Sequence, residues 1–299
     1  MAVWVDPDRA LLRIEGTRAG GVLNGLLSAD VTALETGGWG LSFVLTSKGR
    51  PVAVPRVLRL DDAFLLDVSR GAVPGLIDHF GTYLPPRFAS VTALEDYRRI
   101  SLLGPGAAKV AAEVLVPGSL FRVDRPAEEG GGADFYVPGH GPDQTAIESA
   151  ALAAGGAVAL ADDYETWRIE QGIPRFGLDV TADNLPQETG LVPRAVDFDK
   201  GCYTGQEVVA RIHYRGQVNR HLRGIRPLDP RSEAVLPHGT GLVREGRAVG
   251  FVTSWCASPR FGPIGLGYVR RELGPGDAIE ADSETPTTCV VTEIPFTLT

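Results

Sequence analysis

One cysteine of this chain sits among residues that could put a thiol to chemical use. In Asp199-Lys200-Gly201-Cys202-Tyr203-Thr204-Gly205-Gln206-Glu207-Val208-Val209-Ala210-Arg211, the sulfur lies two residues from an ammonium and just ahead of a helix signal. Thr204 and Glu207 have the spacing of a capping box, and Val208, Val209 and Ile212 give an apolar face behind them, so the pattern predicts a helix starting at Thr204. Glu207 and Arg211 are four residues apart in the order that favours an ion pair. Free N–H groups at a helix start and a nearby cation both favour the thiolate, the form that attacks electrophiles and binds metals. Gly201 and Gly205 allow the backbone to turn tightly or to approach a ligand. The competing reading makes Cys202 a small buried residue at a helix start, since free cysteine is usually buried. Both readings stand on these residues alone.

The other two cysteines, Cys256 and Cys289, fall in strand patterns and read as core. Three cysteines far apart, with no C-x-x-C pair, argue against a disulfide framework and against a self-contained zinc site. The five histidines show no metal-ligand spacing. No G-x-S-x-G, P-loop or Rossmann fingerprint is present. The chain is acidic, with a net charge of −8, so nucleic acid is not expected as a direct partner. Within it, residues 200–226 carry six Lys or Arg and one acid, a net of +5, after a stretch 161–199 with a net of −6. That strip suits an anionic ligand, or it docks on the acidic stretch beside it; both remain open.

These residues need elements to hold them. With 299 residues, 43% hydrophobic and 22% charged, the chain is long enough for two or three units with their own cores. Residues 10–14 read as a strand, followed by a helix with Val22, Leu23, Leu26 and Leu27 on one face. Residues 41–68 read as two or three strands around a Lys48-Gly49-Arg50 turn. Residues 99–103 form a strand that leads through Gly104-Pro105-Gly106 into a helix ending at Leu115. These two strand–glycine–helix units look like a diverged repeat. A helix is expected over 143–154, capped by Asp143, and another over 163–171, stopped by Gly172-Ile173-Pro174. From about 223, strands at 242–243, 248–253, 264–269 and 289–293 suggest a small antiparallel barrel, with a domain boundary near Arg226. No signal peptide is visible and the most apolar stretch is too short to span a bilayer, so a soluble cytoplasmic protein without membrane contact is expected.

The motif from Lys200 to Glu207, with Val209-Ala210-Arg211 and Arg215-Gly216 after it, resembles the signature of the YgfZ family, folate-binding relatives of the glycine-cleavage T-protein, an aminomethyltransferase. Further likeness runs through Ile14–Gly16, Ala29–Thr32, Trp167–Pro174, Gly250–Ser254, Ser258-Pro259, Gly267–Val269 and Pro295-Phe296. The resemblance implies an α+β, three-part T-protein-like fold with diverged strand–helix repeats and a C-terminal antiparallel β-barrel. It implies a folate-binding region over 1–225, made of two interleaved subdomains, and a barrel domain over 226–299. It also implies a tetrahydrofolate-binding accessory protein for the assembly or repair of iron–sulfur enzymes, including tRNA-modifying ones. Its partners would be iron–sulfur client or assembly proteins. Cys202 would be the functional thiol and a shared ligand to a transient cluster, with no metal site of the chain's own.

By the same resemblance, Asp134 stands near the family's pterin-binding acid, Tyr164 aligns with a folate-facing arginine, and Arg168 and Arg175 could meet the folate tail carboxylates. Three of them also have a plain structural reading: Asp134 as a loop acid, Tyr164 as a half-buried aromatic, and Arg168 as a partner for Glu165. The alternative is a folate-dependent aminomethyl or one-carbon transferase. Against it, the Asp pair of the aminomethyltransferases is replaced here by Ala53 and Val54, which offer no acid or base.

Overall fold

The computed structural model describes residues 1–139, 141–283 and 286–297. The chain divides into two compact units: Met1–Leu160 with Pro193–Gln206, and Ala161–Val192 with Glu207–Thr299.

The first unit is built on two five-stranded sheets. One runs in the order Phe121–Asp124, Ala133–Pro138, Tyr97–Leu103, Ala2–Val5, Ala157–Val158; the other in the order Trp39–Leu41, Arg56–Arg59, Ala63–Ser69, Arg9–Glu15, Ser90–Ala93. Each contains one of the two strand–glycine–helix units read from the sequence. Arg9–Glu15 leads to the helix Ala19–Leu26, and Tyr97–Leu103 to the helix Ala107–Glu113. The second helix stops at Glu113, so Leu115 lies beyond it and is exposed. The helix expected from Asp143 spans Pro142–Ala153 with Gly141 as its N-cap; the Asp143 carboxylate instead accepts from the Gly118 N–H.

Strands at the centre of these sheets are buried on both faces. On Tyr97–Leu103, Ile100 and Leu102 face the helices and pack with Ala107, Ala111, Ile147 and Ala151. The opposite faces of the two sheets share a core of Leu11, Leu58, Leu65, Phe121, Val123 and Tyr136. Charged residues alternate with those apolar ones: Arg9 with Leu11, Arg56 with Leu58, Asp67 with Leu65, Asp134 with Tyr136. The layer between the sheets is therefore partly ionic.

In the second unit, six strands close into an antiparallel barrel among the described residues: Arg220–Pro227, Gly262–Arg270, Arg247–Ser258, Gly241–Arg244, Ala278–Asp282 and Thr287–Thr292. Its interior includes Ile225, Leu242, Val252, Val269, Ile279, Cys289 and Val291. The barrel starts at Arg220 rather than near 226, and the strands Arg220–Pro227 and Ala278–Asp282 complete the four foreseen. The helix Ala161–Glu170 belongs to this unit, with Ile169 packed on Leu222, Ile264, Leu266, Tyr268 and Phe296. Gly172 ends it with φ +63°, and a Cβ there would meet the Ile294 Cβ at 2.6 Å, so both conformation and space require glycine.

Candidate functional site: an exposed thiol on a pinned loop

The segment Pro193–Gln206 returns to the first unit and lies over the end of the helix Ala19–Leu26. A helix leaves its last carbonyls without intrahelical partners. Here the returning segment supplies them. The Thr204 N–H donates to the Gly25 carbonyl at 3.1 Å. The Lys200 ammonium donates to the carbonyls of Asn24, Leu27 and Ala29, each at 2.7 Å. Upstream, the Asp197 N–H donates to the Ser28 carbonyl, and the Ser28 hydroxyl donates to the Ala195 carbonyl at 2.5 Å. The Asp197 carboxylate closes a turn by accepting from the N–H groups of Asp199 and Lys200.

Gly205 fixes the other end. Its φ is +83°, and a Cβ would lie 2.6 Å from the Thr46 carbonyl oxygen and 3.0 Å from the Leu45 Cβ. Thr46 opens the turn of the hairpin that pairs Val44–Leu45 with Pro51–Ala53. A left-handed residue cannot continue a helix, so the helix begins at Gln206 and runs to Arg215, two residues later than the capping-box spacing implied. Glu207 and Arg211 are both exposed and form no ion pair among the described residues. Gly201 is exposed with open space at its Cβ position.

Between these anchors, Cys202 is exposed, which decides against the buried reading. Tyr203 turns inward and is buried; its ring lies 5.3 Å from the Lys200 Nζ. Its hydroxyl has no hydrogen-bond partner among the described residues, and burial, with Asp197 adding to it, pushes it up to about 12. Burial also pushes the Lys200 ammonium down to about 8, against the opposing pull of Asp30 and Asp197. The remaining thiols differ from Cys202. Cys289 is inside the barrel and Cys256 is half-buried, and burial raises each to about 11.

The four residues named for folate fall into two kinds. Asp134 is fully buried; it accepts from Arg56, from Arg125 at 3.0 Å and 3.1 Å, and from the Ser101 hydroxyl at 2.5 Å. Burial alone would raise that carboxyl, but Arg125, Arg56 and Arg99 hold it well below the usual carboxylate range. Asp134 is thus an interior counter-ion rather than the loop acid the sequence suggested. Arg168 is likewise buried, donating to Glu165, Asp179 and the Ser254 hydroxyl at 2.6–2.8 Å. Tyr164 and Arg175 keep surface. The Tyr164 ring stacks on Trp167 at 5.7 Å and 29°, and Arg175, 39% exposed, donates to Glu165.

Sequence reasoning missed Asp179. Fully buried, it accepts from Arg168, the Thr253 and Ser254 hydroxyls and the Arg175 N–H, tying this helix region to the barrel wall. Only its place five residues past Gly172-Ile173-Pro174 marked it. The basic strip divides as well. Arg220 docks on Glu188 and the Asp183 carbonyl, whereas Arg211 and Arg215 are exposed.

Comparison with known proteins agrees with this fold. Residues 220–297 match the glycine cleavage T-protein C-terminal barrel domain. The solved aminomethyltransferase T of the glycine cleavage system from Bartonella henselae superposes with a TM-score of 0.86, covering 99% of this chain and 86% of that one at 22% identity. The human protein named iron-sulfur cluster assembly factor IBA57, mitochondrial, is 28% identical over 81% of this chain and 71% of its own. The tRNA-modifying protein YgfZ of Yersinia enterocolitica is 27% identical over 72% and 68%. These likenesses define a class, the T-protein fold with its C-terminal barrel. Within that class, the chain is similar to the proteins named YgfZ and IBA57.

Proposed function

We propose that this protein is an accessory factor for iron–sulfur enzymes, tRNA-modifying ones among them, and that it acts through the Cys202 thiol. The observation that carries this reading is an exposed cysteine on a loop pinned on both sides, in a chain whose other thiols are shielded. The names of the human and Yersinia relatives support the client class. Cys202 supplies one thiolate. A cluster usually takes four, so the cluster is cargo and the client or assembly partner provides the other ligands. An anchored loop with an exposed sulfur suits that hand-over, because the thiol can approach a partner without reordering its own backbone.

Tetrahydrofolate or a derivative belongs to the proposal through the fold. Of the four residues, Tyr164 and Arg175 offer a ring face and a cation to such a ligand, while Asp134 and Arg168 brace the structure behind. When bound, a folate supplies a one-carbon carrier. Transferase activity is the weaker reading, because the buried Ala53 and half-buried Val54 bring no carboxylate to the strand where the aminomethyltransferases have one. The chain is expected to work in the cytoplasm, and no described helix is long and apolar enough to cross a membrane.

The test is expression in a bacterial host deleted for its own YgfZ. The wild-type chain should restore the iron–sulfur tRNA-modifying activity; wild-type protein that accumulates and restores nothing would overturn the reading. Separately, calorimetric titration should show tetrahydrofolate binding that is unchanged by Cys202→Ser and weakened by Arg175→Ala. No heat with either protein would remove folate from the proposal.

A further inference from the structure

The geometry points to Lys200 as the residue that positions the Cys202 thiol, through a seat of three carbonyls that an ammonium fills and a guanidinium does not. This rests on the reading of Cys202 as the functional thiol.

The chain takes its positive charge almost entirely from arginine: Lys48, Lys109 and Lys200 are its only lysines, against 26 arginines. Lys48 and Lys109 are exposed. At Lys200, a single nitrogen meets three main-chain oxygens, those of Asn24, Leu27 and Ala29, each at 2.7 Å. An ammonium carries three N–H groups on one atom and can satisfy all three. A guanidinium nitrogen carries at most two, spread in a plane suited to flat bidentate partners. The seat therefore selects lysine by shape as well as by charge.

It also spends every Lys200 donor on the backbone, leaving none for the sulfur. Two residues beyond Cys202, the Thr204 N–H takes the neighbouring Gly25 carbonyl. Positions two before and two after the thiol are thus both tied to the same helix end. Cys202 is presented outward between them, and Tyr203 turns inward. The lysine sets where the sulfur is, and its charge is not the means.

Two substitutions in the full chain separate placement from charge: Lys200→Met, which keeps length without donors, and Lys200→Arg, which keeps charge. Three readouts apply: amide hydrogen exchange over residues 199–205, the rate at which iodoacetamide alkylates Cys202, and restoration of the iron–sulfur enzyme in the deleted host. Both variants should lose amide protection at Thr204 and lose restoration. Both should keep the alkylation rate within about threefold, since a small reagent needs an exposed sulfur and not a placed one. If Lys200→Arg restores like wild type while Lys200→Met fails, charge is what matters and the inference is overturned. A fall of about tenfold or more in alkylation by Lys200→Met, with Lys200→Arg unchanged, also overturns it, because the Lys200 charge would then act on the thiol directly.

Should the variants fail to fold, the wild-type protein labelled with nitrogen-15 lysine decides. One ammonium of three should give a signal shielded from exchange with water, and no shielded signal removes the seat. Full restoration by Cys202→Ser would instead sink the parent reading, leaving the exchange and lysine measurements to judge the seat alone.

Discussion

At the scale of single residues, the three cysteines differ in what can reach them. Cys202 is exposed, Cys256 half-buried and Cys289 enclosed by the barrel, and the last two are held at about 11. N-ethylmaleimide at pH 7 should modify the native protein at Cys202 alone and the denatured protein at all three, as read by peptide mass. Modification of Cys289 in native protein would mean that the barrel opens. Gly205 gives a second test. With φ at +83° and the Thr46 carbonyl 2.6 Å from the Cβ position, Gly205→Ala should cost about 1–3 kcal/mol of stability and lower the melting temperature. Gly201→Ala meets open space and should change stability by less than about 0.5 kcal/mol. The sequence already showed the motif and read Cys256 and Cys289 as core, but it left Cys202 open between a buried and a reactive thiol. The structure exposes Cys202, encloses Cys289 and leaves Cys256 half-buried. The sequence did not show what Lys200 does, because its acceptors are main-chain oxygens more than 170 residues away and no side-chain pattern encodes them.

At the scale of elements, the sheet-to-sheet layer of the first unit is the least legible part of the sequence. Arg56-Val-Leu-Arg and Leu65-Leu-Asp67 alternate as strands with a wet face would. The polar positions instead point at the opposite sheet. Asp67 accepts from Arg9 at 2.6 Å, Arg99 at 3.0 Å and Tyr136 at 2.8 Å, all buried or nearly so. Burial would raise its carboxyl, but Arg9, Arg99 and Arg56 bring it down to about 2, against an ordinary value of 3.8. A depressed carboxyl contributes stability that is present above its unfolded value and lost as pH falls toward the folded one. Asp67 should therefore contribute roughly 2 kcal/mol at neutral pH, disappearing between pH 4 and 2. Urea midpoints measured across that range should fall in the wild type and change less in Asp67→Asn. Asp134→Asn should cost about 3–5 kcal/mol, because it leaves Arg56 and Arg125 buried beside a neutral group. The site helix shows the same limit. Thr204 and Glu207 had the right spacing, but Gly205, held left-handed by the hairpin turn, moved the start to Gln206.

For the whole molecule, much of the architecture was readable because turn residues and period-2 runs punctuate it. The barrel showed in Ala248–Thr253 and Ile264–Val269. Two of its strands were hidden, since Arg220–Pro227 is rich in arginine and Ala278–Asp282 alternates with acids. The folate residues were harder to judge: Asp134 and Arg168 have side chains a ligand would want, and only burial shows them already committed. The central claim is that the exposed sulfur of Cys202 is what the iron–sulfur clients need. The measurement that reaches it most directly compares wild type, Cys202→Ser and Cys256→Ser in the deleted host, at matched protein levels, by the iron–sulfur-dependent modification of tRNA. Wild type and Cys256→Ser should restore the modification, and Cys202→Ser should leave it at the level of the empty host. Restoration by Cys202→Ser equal to wild type would contradict the claim.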